Sequence, residues 1–564
     1  MTRPKPSLLL IGLDGVGPEI LEPLVEAGDL PNLSRLMEKG AYGPLRSTTP
    51  PTTFPAWSSF LTGAEPSSHG IPDFTIREGY RITFAGAAER RAPTWMEHLE
   101  SLGLRVGAAW FPMTYPPLPL RGYHISGWDS PVTSRGDSSF VHPGALHRDL
   151  ATRFGEEHLS FDSIDEFSDT DNWHITTAGS LPGRIEKRTE IALHMLANHP
   201  VDVAAFYFGQ TDTAAHHFFA FHDPASPRRP KTFDPRLSHA LRNVYVAADE
   251  AVGRLVEAVG DDTTVMVMSD HGSGGSSDIA IYLNRMLQRA GLLEFRSTGR
   301  QGIDPSFIRG KAVGLLPRRL RRPLFRFSKG LVPALVESQL RMGGIDWSRT
   351  VAFSEEINYA PSIWFNQLGR EPDGAMPFGE REHIASRVEE AALALATPDG
   401  ARLVHRVIRR EEIHHGAHLH RFPDLILELA NVDGFTPVCL SSRARSGNPV
   451  ERLESDAMLG RKGRSMPGCH TPDGILMLNG PGVPQKQIEG ARIHDVPMLI
   501  CAATNTPAAP WFEGTSPHGL MKPPKKKKTD RSNDLVSKET TRSYTRAQEK
   551  VVAERLRRLG YFED

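Results

Sequence analysis

Side chains of the types that bind divalent cations occur at six notable positions of the chain. They are Asp14, Asp212, His216, Asp270, His271 and His470. Carboxylates and imidazoles without thiolates suit a hard or borderline divalent ion, and two such ions close together are typical of enzymes that transfer phosphoryl groups. The ligand types therefore predict a two-metal hydrolase of phosphate esters.

Apolar runs precede the three aspartates of this set. The runs are residues 7–13, 203–208 and 263–268. Continuous apolar runs of this length suit strands that are buried on both faces of a parallel sheet. Ligand sites of such sheets lie at the carboxyl ends of the strands, so we expect the three carboxylates on one rim of a single sheet.

Asp212 and His216 stand four residues apart in the chain. On a helix this spacing puts both side chains on one face, where they can bind the same metal ion. His217 points about a quarter turn away, which indicates a packing role. A spacing of this kind occurs often by chance among 23 histidines, so it gains meaning only together with the other ligands.

Asp270 and His271 are adjacent at the end of an apolar run. From a tight turn the two side chains can reach different parts of a dinuclear centre, although a capping Asp beside a loop His is an equally ordinary interpretation. His470 lies in a loop before another strand-like run. The pair His494 and Asp495 competes with it for a place in the site, but its pattern favours the start of a helix.

Thr53 is the candidate nucleophile, in the Pro-rich stretch 50–55. A threonine hydroxyl is very weakly acidic, but a divalent cation stabilises the alkoxide, just as it lowers the pKa of bound water from about 16 to about 7 in favourable sites. Metal coordination thus activates the hydroxyl without a neighbouring base. Residues 57–63 have a helical pattern, which would direct backbone N–H groups at a bound phosphate.

Short apolar strands alternate with helical patterns over residues 7–295, which predicts βαβ units around a parallel sheet. Residues 130–182 show no pattern that assigns them. The 564 residues carry a formal net charge of −1, so no global charge favours a nucleic acid or a membrane surface. Three cysteines without CxxC spacing favour a reducing compartment, and we expect a cytoplasmic protein.

The first apolar run superficially resembles a secretory signal, but no small-residue cleavage site follows it, and we interpret it as the first strand. No apolar stretch approaches the roughly 18 residues that span a bilayer. We therefore expect no transmembrane segment.

Composition divides the chain into four predicted segments. Residues 1–295 form the first part of a catalytic core, 296–345 a basic helical insertion, 346–512 the second part of the core, and 513–564 a charged linker with a terminal helix. The insertion contains Arg318, Arg319, Arg321 and Arg322. We expect it to cap the site and select the substrate, with contact to a membrane surface as the alternative.

Five short motifs occur in the order found in the alkaline phosphatase superfamily. The motifs are Leu13-Asp14-Gly15, Thr53-Phe54-Pro55-Ala56-Trp57 with His69-Gly70, Asp212 with His216, Ser269-Asp270-His271-Gly272, and Gly468-Cys469-His470. The chain resembles the type I phosphodiesterase and nucleotide pyrophosphatase branch over about residues 7–295 and 350–505. The resemblance implies an alkaline-phosphatase-like α/β/α sandwich with a mostly parallel central sheet, to which the helical insertion and the carboxyl-terminal tail are added.

The same resemblance implies the site's components. Asp212, His216 and His470 would hold one metal ion, and Asp14, Asp270, His271 and the Thr53 oxygen would hold the other. Two divalent ions are implied, zinc being the usual metal and manganese the alternative. Thr53 would form a covalent phospho-threonine that water then hydrolyses.

Phe74 departs from the family pattern. Nucleotide pyrophosphatases have an Asn there that donates a hydrogen bond to a phosphoryl oxygen. Either another donor, a backbone N–H or an insertion arginine, replaces it, or the substrate is not a nucleotide diester. The sulfatase branch is disfavoured because the nucleophile region has no Cys-x-Pro-x-Arg motif.

The expected partner is a small phosphate ester, nucleotide-derived esters included. We expect no stable nucleic-acid partner. A diesterase or pyrophosphatase activity is the favoured function. A phosphomonoesterase or phosphomutase is the first alternative, and it would need an extra cationic group for the second charge of a monoester, from Arg77 or the insertion. A non-catalytic anion-binding protein is the second alternative. It is disfavoured because every expected metal ligand and Thr53 are present.

Overall fold

The computed structural model describes most of the chain, and its ranges are residues 5–131, 137–159, 172–296, 341–358, 360–454, 458–459, 466–517, 519–522, 544–545, 548–549 and 551–553. The expected cap, with Arg318, Arg319, Arg321 and Arg322, lies outside the described residues apart from its two ends. Most of the charged tail after residue 522 lies outside them as well. The four segment boundaries remain predictions.

The described part contains twenty strands: β1 (Leu8–Leu13), β2 (Ala41–Arg46), β3 (Thr75–Glu78), β4 (Arg81–Phe84), β5 (Val106–Ala109), β6 (Tyr123–Ile125), β7 (Val141–His142), β8 (Val203–Phe208), β9 (Thr264–Met268), β10 (Gly272–Ile281), β11 (Ala352–Phe353), β12 (Ser362–Phe365), β13 (Val404–Arg409), β14 (Leu425–Leu429), β15 (Thr436–Cys439), β16 (Val450–Arg452), β17 (Gly468–Thr471), β18 (Asp473–Asn479), β19 (Lys486–Gln487) and β20 (Ala491–Arg492).

The α-helices within the same ranges are α1 (Pro18–Glu26), α2 (Pro31–Lys39), α3 (Thr53–Thr62), α4 (Pro66–His69), α5 (Trp95–Ser101), α6 (Gly144–Phe154), α7 (Trp173–Asn198), α8 (Gln210–His222), α9 (Ala240–Val259), α10 (Leu283–Arg289), α11 (Arg381–Leu393), α12 (Arg410–Ile413) and α13 (Val496–Ala503). The predicted α/β fold class is confirmed, because these helices surround a central, mostly parallel sheet.

The central sheet has the strand order β19-β2-β18-β9-β1-β8-β5-β6-β7, with β20 also paired to β2. Strand β1 lies between β8 and β9 and is parallel to both. Every residue of these three strands is buried, as their unbroken apolar character predicts. Because the three strands run in the same direction, their carboxyl ends open onto one rim of the sheet.

The later part of the chain returns to this sheet and brings His470 with it. Strand β18 pairs antiparallel with both β9 and β2. Strand β17, just before it, pairs antiparallel with β10, and this register sets His470 opposite Ser273. Since β10 begins directly after His271, the pairing places the two histidines at neighbouring positions of one strand pair.

A second sheet, with the order β11-β12-β14-β13, has its own hydrophobic cluster. The largest buried side chains of that cluster include Phe353, Trp364 and Phe365. The hairpin β3-β4 lies beside it, and Ile82 of β4 belongs to the same cluster. The second sheet therefore packs as a separate layer next to the core of the central sheet.

Within the described ranges, no helix combines the length and the apolar character that crossing a bilayer requires.

Candidate active site

The three aspartates lie at the rim where β1, β8 and β9 end. Asp14 and Asp270 occupy the turns after β1 and β9, and Asp212 lies in the first turn of α8. Gly15 follows Asp14 with φ of 68°, in the left-handed region that glycine adopts at little cost. A Cβ at Gly15 would lie 2.9 Å from Asp212 Oδ1, so glycine also allows the turn to approach α8.

One group of potential ligands surrounds the Nε2 atom of His271. This atom lies 3.5 Å from Asp14 Oδ1 and 3.3 Å from Asp270 Oδ2. Thr53 Oγ1 lies 3.3 Å from it. The structure thus brings the candidate nucleophile to the same point as two carboxylates and one imidazole, all of them buried.

Two aromatic side chains position Asp14 by donating hydrogen bonds to its second carboxylate oxygen, Oδ2. Trp57 donates to Asp14 Oδ2 from Nε1 at 3.0 Å, and Tyr207 donates to it from its hydroxyl at 2.5 Å. No local pattern indicates either donor, because Trp57 fits an apolar helix face and Tyr207 fits a buried strand. The two hydrogen bonds leave Asp14 Oδ1 directed at His271.

A second group contains Asp212, His216 and His470. Asp212 Oδ1 lies 3.3 Å from His216 Nε2 and 3.7 Å from His470 Nε2, and the two Nε2 atoms are 3.0 Å apart. The His470 ring stacks on the His271 ring with centroids 3.8 Å apart. The two groups are therefore neighbours within one site.

Three backbone carbonyls determine where the site histidines carry their protons. The Nδ1 atoms of His216, His271 and His470 lie 3.1, 3.0 and 2.8 Å from the carbonyl oxygens of Gly468, Gly272 and Pro51 respectively. A carbonyl can only accept, so each Nδ1 donates. A neutral ring then has its lone pair on Nε2, which faces the carboxylates, and this arrangement is the one that metal-binding histidines use. Although burial opposes it, the charge and hydrogen bond of Asp212 raise the pKa of His216, so metal binding would displace a proton from this ring.

The carboxylate oxygens complete the fit to divalent cations. Asp14 Oδ1 and Asp270 Oδ2 are buried and accept no hydrogen bond from the described residues, although buried carboxylate oxygens normally do. In each group of three, the ligand atoms lie within 4.8 Å of one another. Carboxylates and Nε2 lone pairs that converge in this way fit two divalent metal ions.

Burial shapes the protonation of these ligands. Burial, reinforced by the charge of Asp212, raises the pKa of Asp14 to about 7, and burial with the charges of Asp14 and Asp212 raises the pKa of Asp270 well above its usual range. Burial also lowers the pKa of His271 to about 4 and the pKa of His470 well below its usual value. These two imidazoles are neutral, as metal ligands must be, and a divalent cation would relieve the repulsion between the carboxylates.

Thr53 is the first residue of α3, after Thr52 as the N-cap. Every residue of α3 is buried, and the side chain of Thr53 at its amino terminus lies beside the ligand groups. Such a helix end attracts phosphate through its backbone donors and its dipole. The preceding loop is tied to the second ligand group, because the carbonyl of Pro51 accepts from His470 Nδ1.

Several other residues that the sequence singles out lie away from the ligands. His217 contacts the Trp173 ring on α7, and His494-Asp495 directly precede α13. Arg77 binds Glu371 with two hydrogen bonds, of 2.7 and 2.9 Å. The ring of Phe74 lies 4.4 Å from that of Phe54 and belongs to the hydrophobic core.

Asp149, His194 and His199 form another group of potential ligands, on α6 and at the end of α7. The side-chain amide nitrogen of Asn198 donates to the carbonyl of His194 and lies 3.0 Å from His194 Nδ1. The His194 ring therefore accepts at Nδ1 and carries its proton on Nε2, where it donates to Asp149 at 3.1 Å. The nitrogen that faces the carboxylate has no lone pair for a metal, in contrast to the rim histidines.

Gly468 provides a test of how the two halves of the site fit together. A Cβ at this position would lie 2.2 Å from the carbonyl oxygen of Ala215 on α8. We expect Gly468→Ala to push β17 away from α8, to lower stability by about 2 kcal/mol and to lower metal content. Thermal unfolding and metal analysis check this result. Gly179→Ala is the control, since nothing lies within 4 Å of its added Cβ; an unchanged Tm in Gly468→Ala would contradict the expectation.

Comparison with known proteins gives one family match. The family model described as type I phosphodiesterase / nucleotide pyrophosphatase matches residues 8–436. A search of curated protein sequences finds no match.

Three solved structures illustrate the structural similarity. Murine ectonucleotide pyrophosphatase / phosphodiesterase 5 is 15% identical, with a TM-score of 0.46, over 90% of this chain and 96% of that chain. An inactive variant of the murine protein in complex with AMP is 14% identical, with a TM-score of 0.46 and the same coverage. Phosphonoacetate hydrolase from Sinorhizobium meliloti 1021, in complex with phosphonoformate, is 17% identical, with a TM-score of 0.47, over 89% of this chain and 97% of that chain.

Proposed function

Because the chain belongs to the type I phosphodiesterase / nucleotide pyrophosphatase family, we propose that this phosphate-ester hydrolase acts on diesters through Thr53 and two divalent metal ions. The observation that carries the proposal is the position of Thr53 Oγ1, 3.3 Å from His271 Nε2, between a helix amino terminus and two groups of metal-ligand side chains. A nucleophile, a phosphate-binding helix end and cation ligands thus occur together.

In the proposed reaction, Asp212, His216 and His470 hold one ion, and Asp14, Asp270 and His271, with the Thr53 oxygen, hold the other. When bound, the ions lower the pKa of the Thr53 hydroxyl and offset the charge of the phosphoryl oxygens. A bond forms from Thr53 Oγ1 to phosphorus while the ester P–O bond breaks, and the leaving oxygen takes up a proton in place of the one that the threonine hydroxyl lost. Water then hydrolyses the phospho-threonine, which releases the phosphoryl group and restores the hydroxyl. Zinc is the expected metal, with manganese as the alternative.

The engagement of Arg77 and Arg341 favours a diester over a monoester. A monoester carries a second charge at its non-bridging oxygens, and this charge needs an additional cation or donor. Arg77 does not provide it, because Glu371 binds its guanidinium through both oxygens. Arg341 lies 3.2 Å from a Glu355 oxygen and is likewise engaged. Carboxylates therefore neutralise both of these arginines.

Hydrolysis of two related compounds tests the proposed function. With zinc or manganese supplied, we expect a kcat/KM for bis(4-nitrophenyl) phosphate about 10-fold or more above that for 4-nitrophenyl phosphate, because an unpaired buried charge costs about 1–3 kcal/mol. Removal of the metal by a chelator should abolish turnover, and added metal should restore it. Preference for the monoester would favour a phosphomonoesterase or phosphomutase. Turnover of neither compound would favour an anion-binding protein.

A further inference from the structure

A cavity adjoins the Thr53 loop, between the core of the central sheet and the second sheet. Pro50 and Pro55, which bracket Thr53 in the chain, form part of one wall. Ser362 and Trp364 of β12 form part of the opposite wall. None of the six metal-ligand side chains lines it. The cavity is thus bordered by the residues that flank Thr53 and is separate from the six ligand side chains.

Asp73 is the unusual side chain of this cavity. It lines the wall and is only 6% exposed, and no described residue donates a well-formed hydrogen bond to either of its carboxylate oxygens. Burial raises the pKa of Asp73 to about 7, against the opposing influence of Arg341 and the Phe74 backbone. Since buried carboxyl groups normally have hydrogen-bond partners, its two oxygens offer acceptor sites that a ligand's donors would complete.

The chain direction explains why Asp73 faces the cavity. Phe74, the next residue, packs its ring 4.4 Å from that of Phe54 and is buried in the core. Strand β3 begins at Thr75, and neighbouring residues of an extended chain point to opposite sides. The position that carries a phosphoryl donor in nucleotide pyrophosphatases is thus a core residue here, and the polar group is one residue earlier.

The arginines in and beside the cavity are engaged by other groups. Arg77 binds Glu371, and Arg341 binds Glu355. Arg421 donates to two backbone carbonyls. Several other wall residues are apolar, among them Ile357, Ala360, Phe422 and Ile426. The guanidinium charges around the cavity disfavour a cationic group, and their existing partners make them poor partners for an anionic one, so the cavity favours an uncharged ligand group.

The two aromatic residues of the cavity already contact other groups, which leaves less of their surface to a nucleobase. The Arg77 guanidinium lies over the Trp364 ring, 3.8 Å from its centroid. The Phe422 ring lies 4.4 Å from the His414 ring. Stacking on an aromatic face usually contributes much of the binding of an unpaired base, so the described walls suit a hydroxylated aliphatic group better than a base.

We infer that Asp73 is the recognition group of a subsite for the organic part of the ester, and that this part is a neutral, hydroxyl-bearing group such as a polyol or sugar. This inference rests on the proposed function. Hydroxyl groups of the ligand donate to the two Asp73 oxygens, and the apolar walls contact its carbon skeleton. Asp73 thereby acts in specificity rather than in bond cleavage.

A pair of diesters tests the subsite: glyceryl 4-nitrophenyl phosphate and propyl 4-nitrophenyl phosphate, which differ only in two hydroxyl groups. We expect the parent protein to prefer the glyceryl ester in kcat/KM by about 10-fold or more. Asp73→Ala should bring this ratio to about 1, and Asp73→Asn should give an intermediate ratio because its amide oxygen still accepts. Glu78→Gln is the control, as an exposed carboxylate at the far end of β3, and should keep the parental ratio.

The outcomes separate the subsite from the proposed function. Hydrolysis of both esters with equal kcat/KM by the parent, or a preference that survives in Asp73→Ala, would overturn the subsite while leaving diester hydrolysis intact. Hydrolysis of neither ester would overturn the proposed function and the subsite with it. Thermal unfolding checks the fold: the Tm of Asp73→Asn should not fall below the parental value, because the replaced carboxyl makes no well-formed hydrogen bond within the described residues.

Discussion

Replacing Thr53 with Ala should reduce diester turnover by about 1000-fold or more, the size of effect seen when a covalent nucleophile is removed. The hydroxyl is one of several oxygens near His271 Nε2, but it is the only proposed nucleophile. We therefore expect metal content and Tm to stay close to the parental values. Steady-state kinetics, metal analysis and thermal unfolding on the same preparation measure all three quantities.

Two further variants make this result specific to the Thr53 hydroxyl. Thr53→Ser keeps a hydroxyl at the same position and should retain measurable turnover. Thr52→Ala removes a buried threonine one residue earlier, whose side chain forms no capping hydrogen bond to α3, and should stay near the parental rate. Parental turnover in Thr53→Ala would show that water attacks phosphorus directly and would exclude the phospho-threonine.

The rim of the site is predictable from the sequence because its signals are local. The apolar runs before Asp14, Asp212 and Asp270 form the adjacent parallel strands β1, β8 and β9. The four-residue spacing of Asp212 and His216 lies on α8, as predicted. Each of these expectations follows from periodicity and from the rule that parallel strands end at a common rim.

Features that depend on tertiary packing cannot be predicted from such local sequence patterns. Helix α7 runs from Trp173 to Asn198 through Pro182, in a region where Gly and Pro concealed the helical period. Its buried face, including Ile185 and Ile191, packs on the central core and overrides the weak local preference. The tautomers of the site histidines depend on carbonyls as distant as Pro51 from His470, which no local pattern encodes.

The cavity-facing Asp73 illustrates the same limit from the functional side. In the sequence, Phe74 appears only as the loss of an expected donor. The structure shows Phe74 as part of the core and the neighbouring carboxyl facing the cavity. The sequence therefore identifies the position at which this chain departs from the family pattern. Which neighbouring side chain faces the cavity instead is visible only in the structure.

Asp212→Asn should weaken metal binding by about 100-fold or more, since even the outer partners of metal ligands typically contribute about 10- to 100-fold. A neutral amide is a much poorer ligand than a carboxylate, and Asp212 Oδ1 faces both His216 and His470. Metal analysis after dialysis against buffered zinc measures the loss. Without metal, the variant should unfold at a lower temperature than the parent, because the charge and hydrogen bond of His216 lower the pKa of Asp212 despite its burial and so stabilise the ionised carboxylate.

Asp249→Asn separates loss of a ligand from loss of any buried carboxylate. Asp249 is buried on α9, and its Oδ1 accepts from the backbone N–H of Leu33 at the start of α2. We expect this control to keep the full metal content while its stability decreases, since an amide accepts more weakly than a carboxylate. Both variants should thus unfold at a lower temperature when prepared without metal, but only Asp212→Asn should fail to regain the full metal content on reloading. Full metal content in Asp212→Asn would remove Asp212 from the ligand set and would require another residue to complete the group of His216 and His470.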